Sequence, residues 1–122
     1  MSESDATREK LWTGPHGRVV AGIFSLAFLV GFEALAVATV MPIVARDLHG
    51  ISLYALSFAA PTVVAVVSMT IAGSHTDRHG PRLALRAGVS VFVAGLVLAG
   101  LAPTMPVFLV SRAIQGFGMG FI

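Results

Sequence analysis

Two charged side chains, Glu33 and Arg112, lie inside long apolar stretches of this sequence. An ionised side chain near the centre of a bilayer costs about 2.5 to 3.5 kcal/mol on insertion scales, so each needs a compensating partner. A carboxylate and a guanidinium can compensate each other, and protonation of the carboxylate would then release the guanidinium. These two residue types therefore predict proton transfer linked to a change in helix contacts.

The two charges are expected at a similar depth in the membrane. Glu33 lies nine residues before Pro42, or about 13 Å along a helix, and Arg112 lies six residues after Pro106, or about 9 Å. Two alternatives remain: a purely structural ion pair, or a protonated Glu33 that donates to a backbone group. We favour a proton-coupling pair, because ionisable residues within membrane helices usually mark functional sites.

Four apolar segments must position these charges. Hydrophobic residues make up 56% of the chain and charged residues 11%, against roughly 25% charged in soluble domains. The segments predict an all-α membrane protein of about four transmembrane helices, at about 19–41, 53–73, 83–102 and 105–122. Pro42 is expected to end or bend the first helix, and 43–52 to form a polar connection.

The two ends of the sequence lead to separate expectations. Residues 1–18 are polar and contain Gly14, Pro15 and Gly17, which predicts a tail without a helix. A cleaved signal peptide is a weaker reading, because the apolar run that follows is too long and contains Glu33. The segment 105–122 would reach about 27 Å, less than a bilayer core, so we expect the sequence to be incomplete.

Basic residues predict the orientation. Six lie in the tail or in the second connection, namely Arg8, Lys10, Arg18, Arg78, Arg82 and Arg86. The other two connections contain only Arg46. The positive-inside rule therefore places the N-terminus and residues 73–86 in the cytoplasm.

The connection at 73–86 combines glycines with charges. Its notable residues are Gly73, Asp77, Arg78, Gly80 and Arg82. The glycines permit a tight turn, and Asp77 could pair with an arginine, which could also meet lipid phosphate. The alternative is a plain solvated loop.

One face of the last segment is polar and small. By helical spacing it holds Arg112, Gln115, Gly116, Met119 and Gly120. Gly116 and Gly120 form a GxxxG pair, Gly118 adds flexibility, and Pro61 lies inside the second segment. This face predicts either close helix packing or a substrate path.

Several classes of chemistry are not expected. The chain has no cysteine, no phosphate-binding glycine loop and no nucleophile paired with a base. Its four histidines, His16, His49, His75 and His79, are interpreted as surface residues and not as metal ligands. The arginines lie at helix ends and form no basic stripe, which argues against nucleic acid. We expect no enzyme activity, cofactor or metal.

Three stretches resemble signatures of the major facilitator superfamily, in particular its drug:proton antiporters. GSHTDRHGPRLAL at 73–85 is similar to the loop between helices two and three, with Pro81 and His75 as departures. LVSRAIQGFGMG at 109–120 is similar to the fourth-helix signature, in which the arginine, here Arg112, is implicated in proton coupling. FEALAVATVMP at 32–42 resembles the first-helix signature, with Glu33 where the family usually has aspartate.

The resemblance implies a multi-pass exporter of hydrophobic or cationic organic compounds in the inner or plasma membrane, driven by inward proton flow. Asp77 and its arginines would form a cytoplasmic gate. The fold would have twelve or fourteen helices built from three-helix repeats, with the substrate site between two halves. Residues 19–122 would be helices one to four, so the chain would need the missing C-terminal helices and is not expected to transport alone.

Two other functions are compatible with four short helices. One is a dimeric exporter of the small multidrug resistance type, which also has an essential glutamate in its first helix. The basic connection and Arg112 argue against it, since that family needs neither. The other is a membrane remnant or interaction module without transport.

Overall fold

The computed structural model describes residues 3–7 and 14–122. Its main helices are α1 (Pro15–Asp47), α2 (Tyr54–His79), α3 (Pro81–Gly100) and α4 (Met105–Phe121), and a 3-10 turn at Ile51–Leu53 precedes α2. The described residues contain no strand, so the predicted all-α class is confirmed. Arg8 and Lys10, on which part of the predicted orientation rests, lie outside the described residues.

The chain divides into two compact units, Met1–Thr39 and Val40–Ile122. In the first unit, α1 carries large apolar side chains with open surfaces, such as Phe28 at 75% and Leu35 at 72% exposed. Such side chains suit contact with lipid far better than contact with water. The second unit contains α2, α3 and α4.

The first helix is longer than predicted at both ends. It begins at Pro15, where a missing N–H costs nothing because the first helical N–H groups have no partner in any case. It continues through Pro42 to Asp47, so the helix does not end at Pro42, and the polar connection expected from 43 begins only after Asp47. A proline inside a membrane helix removes one hydrogen bond, whereas ending the helix there would expose many more backbone groups.

The connection predicted at 73–86 is much shorter than expected, although the tight turn expected at a glycine is present. The second helix extends to His79 and the third begins at Pro81, so Gly80 is the single residue between them. Its φ of 88° and ψ of 157° fall in a region that is essentially restricted to glycine. The Gly80 N–H donates to the Thr76 carbonyl at 2.9 Å, and Pro81 starts the next helix. The polar residues of this region therefore lie on the last turn of α2 and the first turn of α3.

Among residues 3–7 and 14–122, three helical segments are long and apolar enough to cross a membrane: α1, the 3-10 turn together with α2, and α3. The fourth begins at Met105, close to the predicted boundary. Its 17 residues correspond to about 26 Å, less than the roughly 30 Å of a bilayer core. The prediction of about four transmembrane helices, with a fourth too short to cross the bilayer core, is thus met by three candidate spans and the shorter α4.

The second unit buries mostly small and polar residues and exposes most of its large apolar ones. Its fourth helix packs against both α2 and α3. The buried positions of the three helices are Ser57, Pro61, Ala65, Ser68, Ala72, Ala84, Gly88, Phe92, Gly95, Met105, Phe108, Ser111, Arg112, Gln115, Gly116 and Gly118. Large side chains such as Val63 and Val110 are about 60% exposed. This distribution is typical of helices that associate by close packing within lipid.

The geometry at Gly80 predicts that Gly80→Ala destabilises the chain by roughly 1 to 3 kcal/mol, because alanine is strained at this φ and ψ. The measurement is unfolding of the detergent-solubilised chain by titration with sodium dodecyl sulfate, followed by far-UV circular dichroism. Gly73→Ala is the matched control, since a Cβ there would meet no other atom and alanine favours the helix by up to about 1 kcal/mol. Equal stability of the two variants would contradict the assignment.

Candidate functional site

Arg112 is buried in α4, with 6% of its surface exposed. Its Nε donates to the backbone carbonyl of Ser57 in α2 at 3.4 Å. Its Nη1 donates to Oε1 of Gln115, which lies almost one helical turn further along α4. The guanidinium is thus held from two directions, by the main chain of one helix and by a side chain of its own helix.

Gln115 lies where three helices meet. Its residue surface is completely buried. The backbone of α3 passes so closely that a Cβ on Gly95 would lie 2.6 Å from the Gln115 nitrogen. Its amide Nε2 has no acceptor among the described residues, while Oε1 is occupied by the arginine. Gln115 therefore orients the guanidinium and retains one donor group.

Gly116 and Gly120 face the second helix. A methyl group on Gly116 would overlap the carbonyl and Cα of Pro61, and one on Gly120 would overlap the Ser68 hydroxyl. The Ser68 Oγ lies 3.0 Å from the carbonyl of Phe117, to which it can donate across the interface. Glycine is required here for space, so the two helices can touch main chain to main chain.

Gly118 faces the third helix in the same way. A Cβ at this position would overlap the backbone nitrogen of Phe92 and lie 2.7 Å from the carbonyl of Gly88. The glycines of α4 thus allow close contact with two different helices. Gly116 and Gly120 lie against α2, and Gly118 lies against α3. Together they allow a short helix with a buried arginine to fit between its neighbours.

The structure brings together six of the predicted residues around the fourth helix, namely Pro61, Arg112, Gln115, Gly116, Gly118 and Gly120. Glu33 is also largely buried, at 9% exposed, but belongs to the other unit of the chain. Its pairing with Arg112 stays a prediction. The residues that carry the charges at the α2–α3 junction, Asp77, Arg78 and Arg82, are exposed, as is Gly73.

Sequence reasoning missed the residues that receive the fourth helix. Ser57, Ser68, Gly88 and Gly95 are all buried at its interfaces. Their signal is present in the spacing, because small residues recur every three or four positions along α2 at 57, 61, 65, 68 and 72. The stripe marks the face that another helix covers.

Two histidines at the end of α2 lie side by side. His75 and His79 are one helical turn apart, and their rings stack with centroids 4.5 Å apart. His75 also meets the ring of Phe121 edge-on, at 6.0 Å. Within 3–7 and 14–122, no three metal-ligating side chains of the His, Cys, Asp or Glu types come together.

Comparison with known proteins gives a consistent set of similarities. The family model of the Major Facilitator Superfamily matches residues 23–122. The multidrug transporter protein MdtP of Bacillus subtilis is 28% identical over 85% of the chain, and the multidrug efflux pump SdrM of Staphylococcus aureus is 27% identical over 84%. Multidrug resistance protein 3 of Bacillus subtilis is 31% identical over 84%.

The matched region is a small part of these relatives. It covers 19% of MdtP, 23% of SdrM and 20% of multidrug resistance protein 3, so the chain spans about a fifth of their length. No solved structure matches the chain.

The close contact at Gly116 predicts that Gly116→Ala moves α4 away from α2 and lowers stability by roughly 1 to 3 kcal/mol through overpacking. The chain has no cysteine, so spin labels can be attached to cysteines introduced at the exposed positions Val63 and Val110. Double electron–electron resonance should show a longer distance between the labels. Gly100→Ala, where a Cβ meets nothing, should leave the distance unchanged. An unaltered distance in both variants would contradict the packing.

Proposed function

This chain belongs to the Major Facilitator Superfamily, and from that membership we propose that it is the N-terminal part of a proton-coupled exporter of hydrophobic or cationic organic compounds. Members of this family are transporters and not enzymes, in agreement with the prediction from the sequence. The names of the relatives MdtP, SdrM and multidrug resistance protein 3 refer to multidrug transport, efflux and resistance, and they support multidrug export as the proposed activity.

The observation that carries the proton-coupled part of the proposal is the burial of Arg112 in a unit whose outer surface is apolar. A guanidinium at such a position costs free energy even with good partners, so a purely structural role would be served better by an apolar side chain. Ser57 and Gln115 each accept one hydrogen bond from it, and both of these acceptors are neutral groups. A carboxylate is the side chain whose protonation would change the free energy of a buried guanidinium most strongly.

We assign that role to Glu33, which is buried in α1. In the deprotonated state its carboxylate would attract the guanidinium, and in the protonated state it would not. Each proton taken from the outside and delivered to the inside would therefore change the contacts between the first and fourth helices. Such a two-state contact is what alternating access requires.

The charges around Gly80 are assigned to a cytoplasmic gate. Asp77 and Arg78 lie on the last turn of α2, and Arg82 lies on the first turn of α3, with one glycine between the two helices. All three are exposed, so they are available to a second half of the transporter. The excess of basic residues in the tail and near Gly80 supports a cytoplasmic N-terminus in an inner or plasma membrane.

The substrate path is assigned to a surface that this chain shares with helices it does not include. Substrate sites of such folds lie between two halves, and the chain covers about a fifth of its relatives. We therefore propose that the polypeptide needs the remaining helices as partners and does not transport alone. The alternative of a dimeric small multidrug resistance exporter finds no support in the family match, whereas a non-transporting remnant is an outcome that the following experiment can reveal.

The central test uses the complete transporter to which these residues are proposed to belong. Glu33→Gln keeps the size and removes the ionisable group, so we expect loss of ethidium efflux driven by a proton gradient. Glu33→Asp, which keeps a carboxylate, should retain part of it. Fluorescence of intracellular ethidium, read before and after a pH jump, gives the rate.

Membrane insertion and ethidium binding of the glutamine variant serve as controls, since both should persist. Full proton-driven efflux by Glu33→Gln would overturn the assignment. Absence of efflux from the unaltered protein would instead favour the remnant.

A further inference from the structure

The proline inside α2 changes the hydrogen bonding of one particular carbonyl. Pro61 has no N–H, so it cannot donate to the carbonyl four residues earlier, that of Ser57, and its ring crowds that carbonyl. The helix nevertheless continues on both sides, from Tyr54 to His79. Since residue 57 is completely buried, water cannot easily take the place of the missing donor.

The donor to this carbonyl comes from another helix. It is the Nε of Arg112, at 3.4 Å, which is the contact that ties the guanidinium to α2. Gly116, one helical turn after Arg112, lies directly against the carbonyl and Cα of Pro61. The proline, the freed carbonyl, the arginine and the glycine are thus parts of one contact between α2 and α4.

We propose that Pro61 is a positioning residue for Arg112. By removing the N–H that would otherwise occupy the Ser57 carbonyl, it reserves that acceptor for the guanidinium Nε. Gln115 Oε1 accepts from Nη1 of the same guanidinium. The Ser57 carbonyl and Gln115 Oε1 together then fix the orientation of the guanidinium plane. The arginine can turn toward or away from a further partner only by giving up one of these two contacts.

The same arrangement explains why a proline suits this position of α2. The Cβ that proline places at 61 is one that alanine would also place, so the space next to Gly116 does not require proline. What distinguishes proline from alanine here is the missing N–H. Without that N–H, the Ser57 carbonyl stays available to accept a hydrogen bond from Arg112 Nε.

The significance of this contact for proton coupling rests on the proposed function, whereas the hydrogen bonding itself does not. A fixed guanidinium presents the same nitrogen atoms to a carboxylate in every molecule, so protonation has a defined effect. If Glu33→Gln retains coupled efflux while the test below succeeds, the proposed function fails and this inference stands. The reverse pattern refutes the inference alone.

The test is nuclear magnetic resonance of the 122-residue chain in lipid nanodiscs, with nitrogen-15 in its arginines. In Pro61→Ala, the new N–H at 61 should donate to the Ser57 carbonyl and displace Arg112. We expect the Arg112 Nε–H signal to move toward that of an exposed arginine such as Arg82, and its hydrogen exchange to become about tenfold faster, as expected for loss of one hydrogen bond.

Pro42→Ala is the matched control, because Pro42 also lies inside a helix and its replacement restores an N–H within α1. It should leave the Arg112 signal unchanged. An Arg112 Nε–H that is unaltered in Pro61→Ala would overturn the proposal, since the carbonyl would then accept both donors.

A double-mutant cycle covers the possibility that Pro61→Ala perturbs the fold more widely. Unfolding by sodium dodecyl sulfate is compared for Pro61→Ala, Arg112→Gln and the double variant. The proposal predicts that the effects are not additive, because both changes remove the same hydrogen bond. Additive effects would contradict it.

Discussion

Holding a guanidinium inside an apolar bundle constrains every helix of the second unit. Arg112 needs acceptors that water would otherwise provide, and it obtains them from the main chain of α2 and from Gln115. The Ser57 carbonyl is within reach of the guanidinium only if α4 lies very close to α2. The glycines at 116, 118 and 120 give α4 the room for that approach, and serines and alanines on the facing helices complete it.

Lipid-facing and buried positions follow from the same requirement. Helices whose backbones touch leave little room for large apolar side chains between them, so most of these side chains turn outward, as Val63 and Val110 do. An outward apolar surface is favourable in a membrane and unfavourable in water. The buried polar site and the membrane location of the chain are thus two aspects of one packing arrangement, which agrees with its membership in a family of multi-pass transporters.

Much of this arrangement could be predicted from the sequence. The spacing of Arg112, Gln115, Gly116 and Gly120 indicated one face of a helix, and the all-α membrane class followed from composition. The helix ends could not be predicted, because Pro42 and the glycines near 80 were interpreted as they would be in water. In a bundle, keeping backbone groups paired outweighs the preference of a single residue, so α1 continues through Pro42 and only Gly80 interrupts the chain after α2. The acceptor at Ser57 is a main-chain carbonyl, so the residue type at this position could not predict it. Arg112, the partner proposed for Glu33, lies in a different unit of the chain.

The account depends most directly on the contact between Arg112 and the main chain of α2. Solid-state nuclear magnetic resonance can measure it in lipid bilayers, by rotational-echo double resonance between a nitrogen-15 label at Arg112 Nε and a carbon-13 label at the Ser57 carbonyl. A nitrogen-to-oxygen distance of 3.4 Å predicts a clear dipolar dephasing between the two labels. Absence of dephasing would contradict the account, since the guanidinium would then be held by other groups.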